Sequence, residues 1–173
     1  YCGEQRVTTV NMALAWLMLR EEWDTGRVFQ ELVAQLDPLV AVEKSPSYTM
    51  SVKRMQAIHR AFPDARFVHL VRHPVAQCKS LMAINDGAFC LKVEAFELGK
   101  DYALIEPQIA WHDMNMNILD FLDEVAPERQ MRLRGEDVMA APQRYLAEIA
   151  RWAGWRDDDD AIDVAPPPTR DAP

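Results

Sequence analysis

Between Arg66 and Ser80 the sequence RFVHLVRHPVAQCKS runs an apolar strand straight into a proline-opened helix, with an arginine at the junction. Phe67, Val68, Leu70 and Val71 make an apolar run of strand length, the pattern of a parallel strand covered on both faces. Pro74 suits a first helical position, where its missing N–H costs nothing and its fixed φ fits the turn. The helix predicted from Pro74 to Ile84 would point backbone donors and the positive end of its dipole toward the carboxyl edge of the sheet. Arg72 stands at that edge, where a guanidinium can pair with a phosphate in bidentate fashion. Ser80, roughly two turns into the helix, can add a hydroxyl. The alternative for these two residues is an ordinary surface ion pair and a solvated serine.

Composition bounds what such a junction belongs to. The chain has 173 residues, 49% of them hydrophobic, which is enough for a real core and fits one domain by size. Its net charge is −8 and no lysine or arginine block stands out, which excludes a general nucleic-acid or anionic-membrane binder. Cys2, Cys78 and Cys90 are too few and too scattered for a disulfide framework and have no metal-ligand spacing. No metal is implied, and a reducing, cytoplasmic compartment is expected. The apolar stretch from Met12 to Leu19 is too short to span a bilayer and ends in Arg20, Glu21 and Glu22.

Along the chain, helical and strand patterns alternate. Helices are predicted from Thr9 to Trp23 and from Arg27 to Leu36, the second capped by Asp24 or Thr25. A short strand, Leu39 to Val42, the turn EKSPS and a helix from Met50 to Phe62 follow. The region from Asn85 to Asp101 shows no period and is longer than most connections in compact domains. A long helix from Tyr102 to Val125 is predicted from a stripe that includes Leu104, Ile105, Trp111, Ile118, Leu119 and Leu122. A strand from Gln130 to Leu133 precedes GEDV, and a helix from Pro142 ends before Gly154. Residues 157–173, with four consecutive aspartates and a triple proline, read as an acidic, proline-rich tail after a domain spanning 1–156. Strands separated by helices predict a parallel α/β sheet that binds its ligand beyond the carboxyl ends of the strands.

Three segments resemble sulfotransferases that use 3'-phosphoadenosine 5'-phosphosulfate. VEKSPSY, Val42 to Tyr48, is similar to the family's EKTPxY-like turn. FPDARFVHLVRHPVAQCKS, Phe62 to Ser80, is similar to its strand and 3'-phosphate-binding helix. Trp111 and Asn115 on a helix, followed by MRLRGEDVMAAPQRYLAEIARWAGW, resemble its (V/L)RYEDL, proline and helix pattern. The resemblance implies a three-layer α/β/α, P-loop NTPase-like sulfotransferase fold. It also implies sulfuryl transfer from 3'-phosphoadenosine 5'-phosphosulfate to a hydroxyl or amine, leaving adenosine 3',5'-bisphosphate. Arg72 and Ser80 have the spacing of the family's 3'-phosphate ligands. Lys44 matches the turn lysine that stabilises the transferring group, and Glu43 is the candidate base for an acceptor hydroxyl. Glu136 and Asp137 match the family's ED pair, with the expected job of tying the strand end to a neighbouring loop. No histidine among His59, His69, His73 and His112 carries over as a base.

The resemblance is incomplete. The glycine- and serine/threonine-rich loop that cradles the 5'-phosphosulfate is missing, so the chain reads as a truncated domain. Two readings from other classes follow. One is a noncatalytic nucleotide-fold module for protein contacts. The other is a histidine phosphatase-like hydrolase, since LVRHPV is similar to an LVRHG strand with His73 as nucleophile; Pro74 in place of the glycine and the mid-chain position count against it. The acceptor, small molecule or carbohydrate, is not legible, and Asn85 to Asp101 is the candidate segment for its pocket. Oligomeric state is equally open.

Overall fold

A computed structural model describes residues 6–36, 40–99 and 102–155. They belong to two compact units, Tyr1–Glu43 and Lys44–Pro173. The first holds α1 (Val7–Met18) and α2 (Thr25–Ala34). Asp24 caps α2 by accepting a hydrogen bond from the Arg27 backbone N–H at 2.8 Å. The Arg20 guanidinium lies 3.9 Å from the Trp16 ring centroid and 5.1 Å from that of Trp23. The strand expected from Leu39 to Val42 is not formed at Val40–Val42, and Leu39 lies outside the described residues.

The second unit is mixed α/β with a parallel sheet. Its elements are α3 (Val52–Ala61), β1 (Phe67–Val71), α4 (Pro74–Met82), α5 (Ala88–Lys92), β2 (Phe96–Leu98), β3 (Ala103–Ile105), α6 (Pro107–Leu122), β4 (Gln130–Arg134), α7 (Gly135–Ala140) and α8 (Pro142–Trp152). A 3₁₀ turn, Pro46–Met50, precedes α3. Proline opens α4, α6 and α8, each time at the position where its absent N–H has no helical partner to lose. Gly154 follows α8 with φ +71°, the left-handed conformation that ends a helix and that glycine adopts without strain.

β1 and β4 pair in parallel, Phe67 opposite Gln130 through Val71 opposite Arg134. The crossover between them passes through α4, α5, the antiparallel β2–β3 pair and α6. Only one face of β1 is covered among the described residues: His69 is 5% exposed, whereas Val68 and Leu70 are 42% and 52% exposed. The expectation of a strand buried on both faces is therefore met on one face of β1; on the other face burial falls on Leu133 of β4, the register partner of Leu70.

α6 is the hub of the core. Toward its start, Ala110 and Met114 meet Leu81, Cys90, Val93 and Ala95. Toward its end, Ile118, Phe121 and Leu122 meet Met55, Val125, Val52 and Phe67. Phe67 and Phe121 stand edge to face, their centroids 5.0 Å apart at 80°. The sequence-predicted helix from Tyr102 is shortened at its start, since Ala103–Ile105 forms β3 against β2 and α6 begins only at Pro107. The aperiodic stretch after Asn85 is structured: Cys90 and Ala95 are fully buried, so its interior side chains serve as core. Its exposed large apolar members among the described residues are Leu91 and Leu98.

Candidate functional site

The in-register pairing of β1 with β4 brings the residues following each strand together at the carboxyl edge of the sheet. Arg72 follows Val71, and Gly135 follows Arg134, its register partner. A Cβ on Gly135 would lie 3.0 Å from Arg72 Cγ and 3.5 Å from the Val71 carbonyl oxygen. The Arg72 stem thus lies across Gly135, in space that a larger residue would fill. The Arg72 side chain is exposed, and its guanidinium makes no hydrogen bond or ion pair among the described residues.

The main chain at Arg72 is held from two sides. The Trp111 indole N–H on α6 donates to the Arg72 carbonyl oxygen at 3.0 Å. The His73 backbone N–H donates to Glu136 Oε1 at 2.9 Å. That bond, the Glu136 backbone N–H and the nearby charges of Arg134 and Arg72 hold the Glu136 carboxyl below the usual carboxylate range. The expected tie between the ED pair and a neighbouring loop is this bond. His73 is the N-cap of α4, its Nδ1 accepting from the Val75 N–H at 3.3 Å. The His73 and Val75 N–H groups at the start of α4 are therefore committed to protein acceptors. Two of the backbone donors anticipated from sequence are thus engaged within the protein, and the exposed Arg72 guanidinium is the cation left at this junction.

A second chain of bonds ties α6 to the middle of β1. Asn115 Nδ2 donates to the Trp111 carbonyl at 2.6 Å, which turns Asn115 Oδ1 toward His69 Nε2, 3.0 Å away. With the amide assigned this way, His69 carries its proton on Nε2. Its Nδ1 is buried without a partner, and burial, outweighing the Asn115 bond and assisted by Arg132, pushes the imidazole below its ordinary value of 6.5.

The other sequence-predicted residues are placed as follows. Ser80 is exposed in the last turn of α4. Helical spacing puts it on the opposite flank from Val75, Cys78 and Met82, which with Pro74, Lys79 and Gln108 line an apolar trough of about 460 Å³. Lys44 is exposed just ahead of the turn Pro46–Met50. That turn is fastened by the Asn117 Nδ2 bond to the Thr49 carbonyl, 3.1 Å, and the Arg54 bond to the Ser47 carbonyl, 2.9 Å. One helix, α6, thus anchors both the Arg72 junction through Trp111 and the Lys44 turn through Asn117. No hydrogen bond or ion pair joins Lys44, Arg72 and Ser80 to one another among the described residues. Glu43 is exposed at the end of the first unit.

Sequence reasoning passed over Gly135 and the indole N–H of Trp111. The signal for Gly135 was a glycine immediately after a strand in register with β1, and for Trp111 a lone tryptophan one turn before the asparagine that meets β1.

A parallel β1–β4 pair with an arginine at its carboxyl edge, leading into a proline-opened helix, defines a protein of the α/β class. A family model described as "Sulfotransferase family" matches residues 5–159. The chain belongs to the sulfotransferase family. Among solved structures, it is similar to the sulfotransferase domain from the curacin biosynthetic pathway, with 25% identity and a TM-score of 0.71 over 89% of this chain and 52% of that one. It also shares its fold with the sulfotransferase domain from the Synechococcus PCC 7002 olefin synthase, at 23% identity and a TM-score of 0.68, over 87% of this chain and 50% of that one. The chain therefore spans about half the length of the structures it matches. No curated protein matches it.

Proposed function

We propose that the protein takes part in sulfuryl transfer from 3'-phosphoadenosine 5'-phosphosulfate to a hydroxyl or amine acceptor, and that this chain supplies the site for the donor's 3'-phosphate. The observation that carries the reading is the exposed Arg72 guanidinium on a main chain held by both Trp111 and Glu136. A guanidinium is the cation best matched to a phosphate dianion, and a main chain held in place spares part of the ordering cost of binding. Ser80 adds a hydroxyl donor from α4. The described residues suit the 3'-phosphate and nucleotide end of the donor; its sulfuryl group supplies the electrophile.

In this reading Lys44 stands near the sulfuryl group and offsets charge as the bond from sulfur to the bridging phosphate oxygen breaks and the bond to the acceptor oxygen forms. Glu43 accepts the acceptor's proton. A compact soluble acceptor or a carbohydrate hydroxyl fits this chemistry.

The test is calorimetric titration of the chain with adenosine 3',5'-bisphosphate, with adenosine 5'-monophosphate as control and Arg72→Ala as the variant. A charge-assisted hydrogen bond contributes about 1.5–3 kcal/mol, so Arg72→Ala is expected to weaken the bisphosphate on the order of ten- to a hundredfold and the monophosphate little. Equal binding of the two nucleotides, or indifference to Arg72, would remove the reading.

A further inference from the structure

The carbonyl of Arg72 and the N–H of His73 are the two ends of one planar peptide unit. Trp111 grips the oxygen end at 3.0 Å and Glu136 grips the N–H end at 2.9 Å. Because the two groups point in opposite directions from the same plane, the bonds together resist rotation of that plane. They fix ψ of Arg72 and φ of His73, and with them the direction in which the Arg72 side chain leaves the sheet. The grips come from far apart in sequence, 39 residues for Trp111 and 63 for Glu136. Gly135 then sets the course of the stem, since any side chain there would meet Arg72 Cγ.

We infer that Trp111 is a positioning residue for the Arg72 guanidinium, acting with Glu136 as a clamp on the Arg72–His73 peptide and held in place by the Asn115–His69 pair. The inference rests on the reading of Arg72 as the 3'-phosphate ligand. A tryptophan on the core-facing side of α6 needs no such role to be explained as packing. The indole N–H is where the two roles separate, because it ends on the Arg72 carbonyl, and a phenylalanine would keep the packing ring while losing that bond. The Asn115 bond to His69 pins α6 to β1 at the residue pair one turn beyond Trp111, so the indole meets Arg72 at a set height along the sheet. Phosphate selectivity at this junction is then a property of three elements, β1, α6 and α7, and not of Arg72 alone.

The deciding variant is Trp111→Phe, which keeps an aromatic ring and removes only the donor. Three quantities are read on the whole chain: the ratio of affinities for adenosine 3',5'-bisphosphate over adenosine 5'-monophosphate, the thermal midpoint, and hydrogen exchange at the His73 amide. One neutral hydrogen bond transmitted to the ligand predicts a ratio lowered roughly two- to tenfold. The His73 amide is expected to exchange faster, while the thermal midpoint moves little. Trp111→Phe added to Arg72→Ala is expected to lower the ratio no further, because both act through the same guanidinium. Glu136→Gln keeps an acceptor for His73, so it is expected to retain the selectivity ratio.

An unchanged ratio together with unchanged His73 exchange in Trp111→Phe overturns the clamp, as does a loss that adds in full to that of Arg72→Ala. If instead the unmodified chain shows no preference for the bisphosphate, the phosphate reading of Arg72 falls. The His73 exchange rate in Trp111→Phe then decides alone whether the peptide is clamped.

Discussion

Replacing Gly135 by alanine separates the fold from the function at the Arg72 junction. The added Cβ would stand 3.0 Å from Arg72 Cγ, inside the optimum of about 3.5–4.0 Å for two carbons, so the stem must give by a few tenths of an ångström. Its second neighbour, the Val71 carbonyl at 3.5 Å, is at ordinary contact distance. Gly135 does not occupy the left-handed region, so alanine suits the backbone. It also narrows the unfolded ensemble, which favours folding by about 0.4–1 kcal/mol. Pushing one flexible side chain off its rotamer costs about 0.5–1.5 kcal/mol. The two terms nearly cancel, and stability is expected to stay within about 1 kcal/mol of the parent.

Ligand binding has no such compensation. A displaced guanidinium loses the paired geometry with a phosphate, part of the roughly 1.5–3 kcal/mol at stake. A loss of about 1–2 kcal/mol corresponds to roughly a five- to thirtyfold weaker complex with adenosine 3',5'-bisphosphate. Urea denaturation and calorimetric titration of Gly135→Ala read the two quantities side by side. Unchanged affinity would show that the path of the Arg72 stem is irrelevant to the ligand. A stability loss above about 3 kcal/mol would show that the contact is structural and that the steric estimate is wrong.

Two further outcomes test the fold beneath the site. Phe121, 2% exposed and stacked edge to face on Phe67, joins α6 to β1; Phe121→Ala is expected to lower the free energy of unfolding by about 3–5 kcal/mol by urea denaturation, and Phe121→Leu by much less. His69 binds its proton less readily folded than unfolded, so stability is full above about 6.5, falls as the pH drops below that value, and levels off once the folded state is also protonated. Glu136, lowered as well, contributes stability that is lost only as the pH drops below about 4.5, so urea curves between pH 7.5 and 5 isolate the histidine effect. A His69 ring titration by NMR with its midpoint at or above 6.5 would contradict the buried, singly bonded imidazole.

Much of the second unit was legible because its signals are local. β1 is apolar at every position but His69, α4 and α8 open on proline, and α8 ends at a glycine with positive φ. Where reasoning from neighbours erred, the deciding interaction was distant. Leu104 and Ile105 fit the stripe of a helix, yet they pair with Glu97 and Phe96 respectively in an antiparallel ladder, and three-residue strands carry too few positions to reveal a period of two. Val40–Val42 has the composition of a strand but remains irregular, since a strand requires a paired neighbour that composition does not supply. The exposure of Val68 and Leu70 has the same origin: apolar character records what a face can bury against, not what covers it.

The candidate site was legible in pieces, and the register of the sheet is what joins them. Phe67 pairs with Gln130 and Val71 with Arg134, a constant separation of 63 residues. Continued past the strand ends, that separation sets Arg72 beside Gly135 and His73 beside Glu136, which are the contacts observed. The RHP junction and the GED segment, read from sequence as two motifs, are therefore one site. A slip of one residue would turn every side chain of β4 to the other face of the sheet and remove Glu136 from the His73 amide. Correct pairing of β1 with β4 is thus the folding event that builds the Arg72 clamp, and no local propensity at either motif can substitute for it.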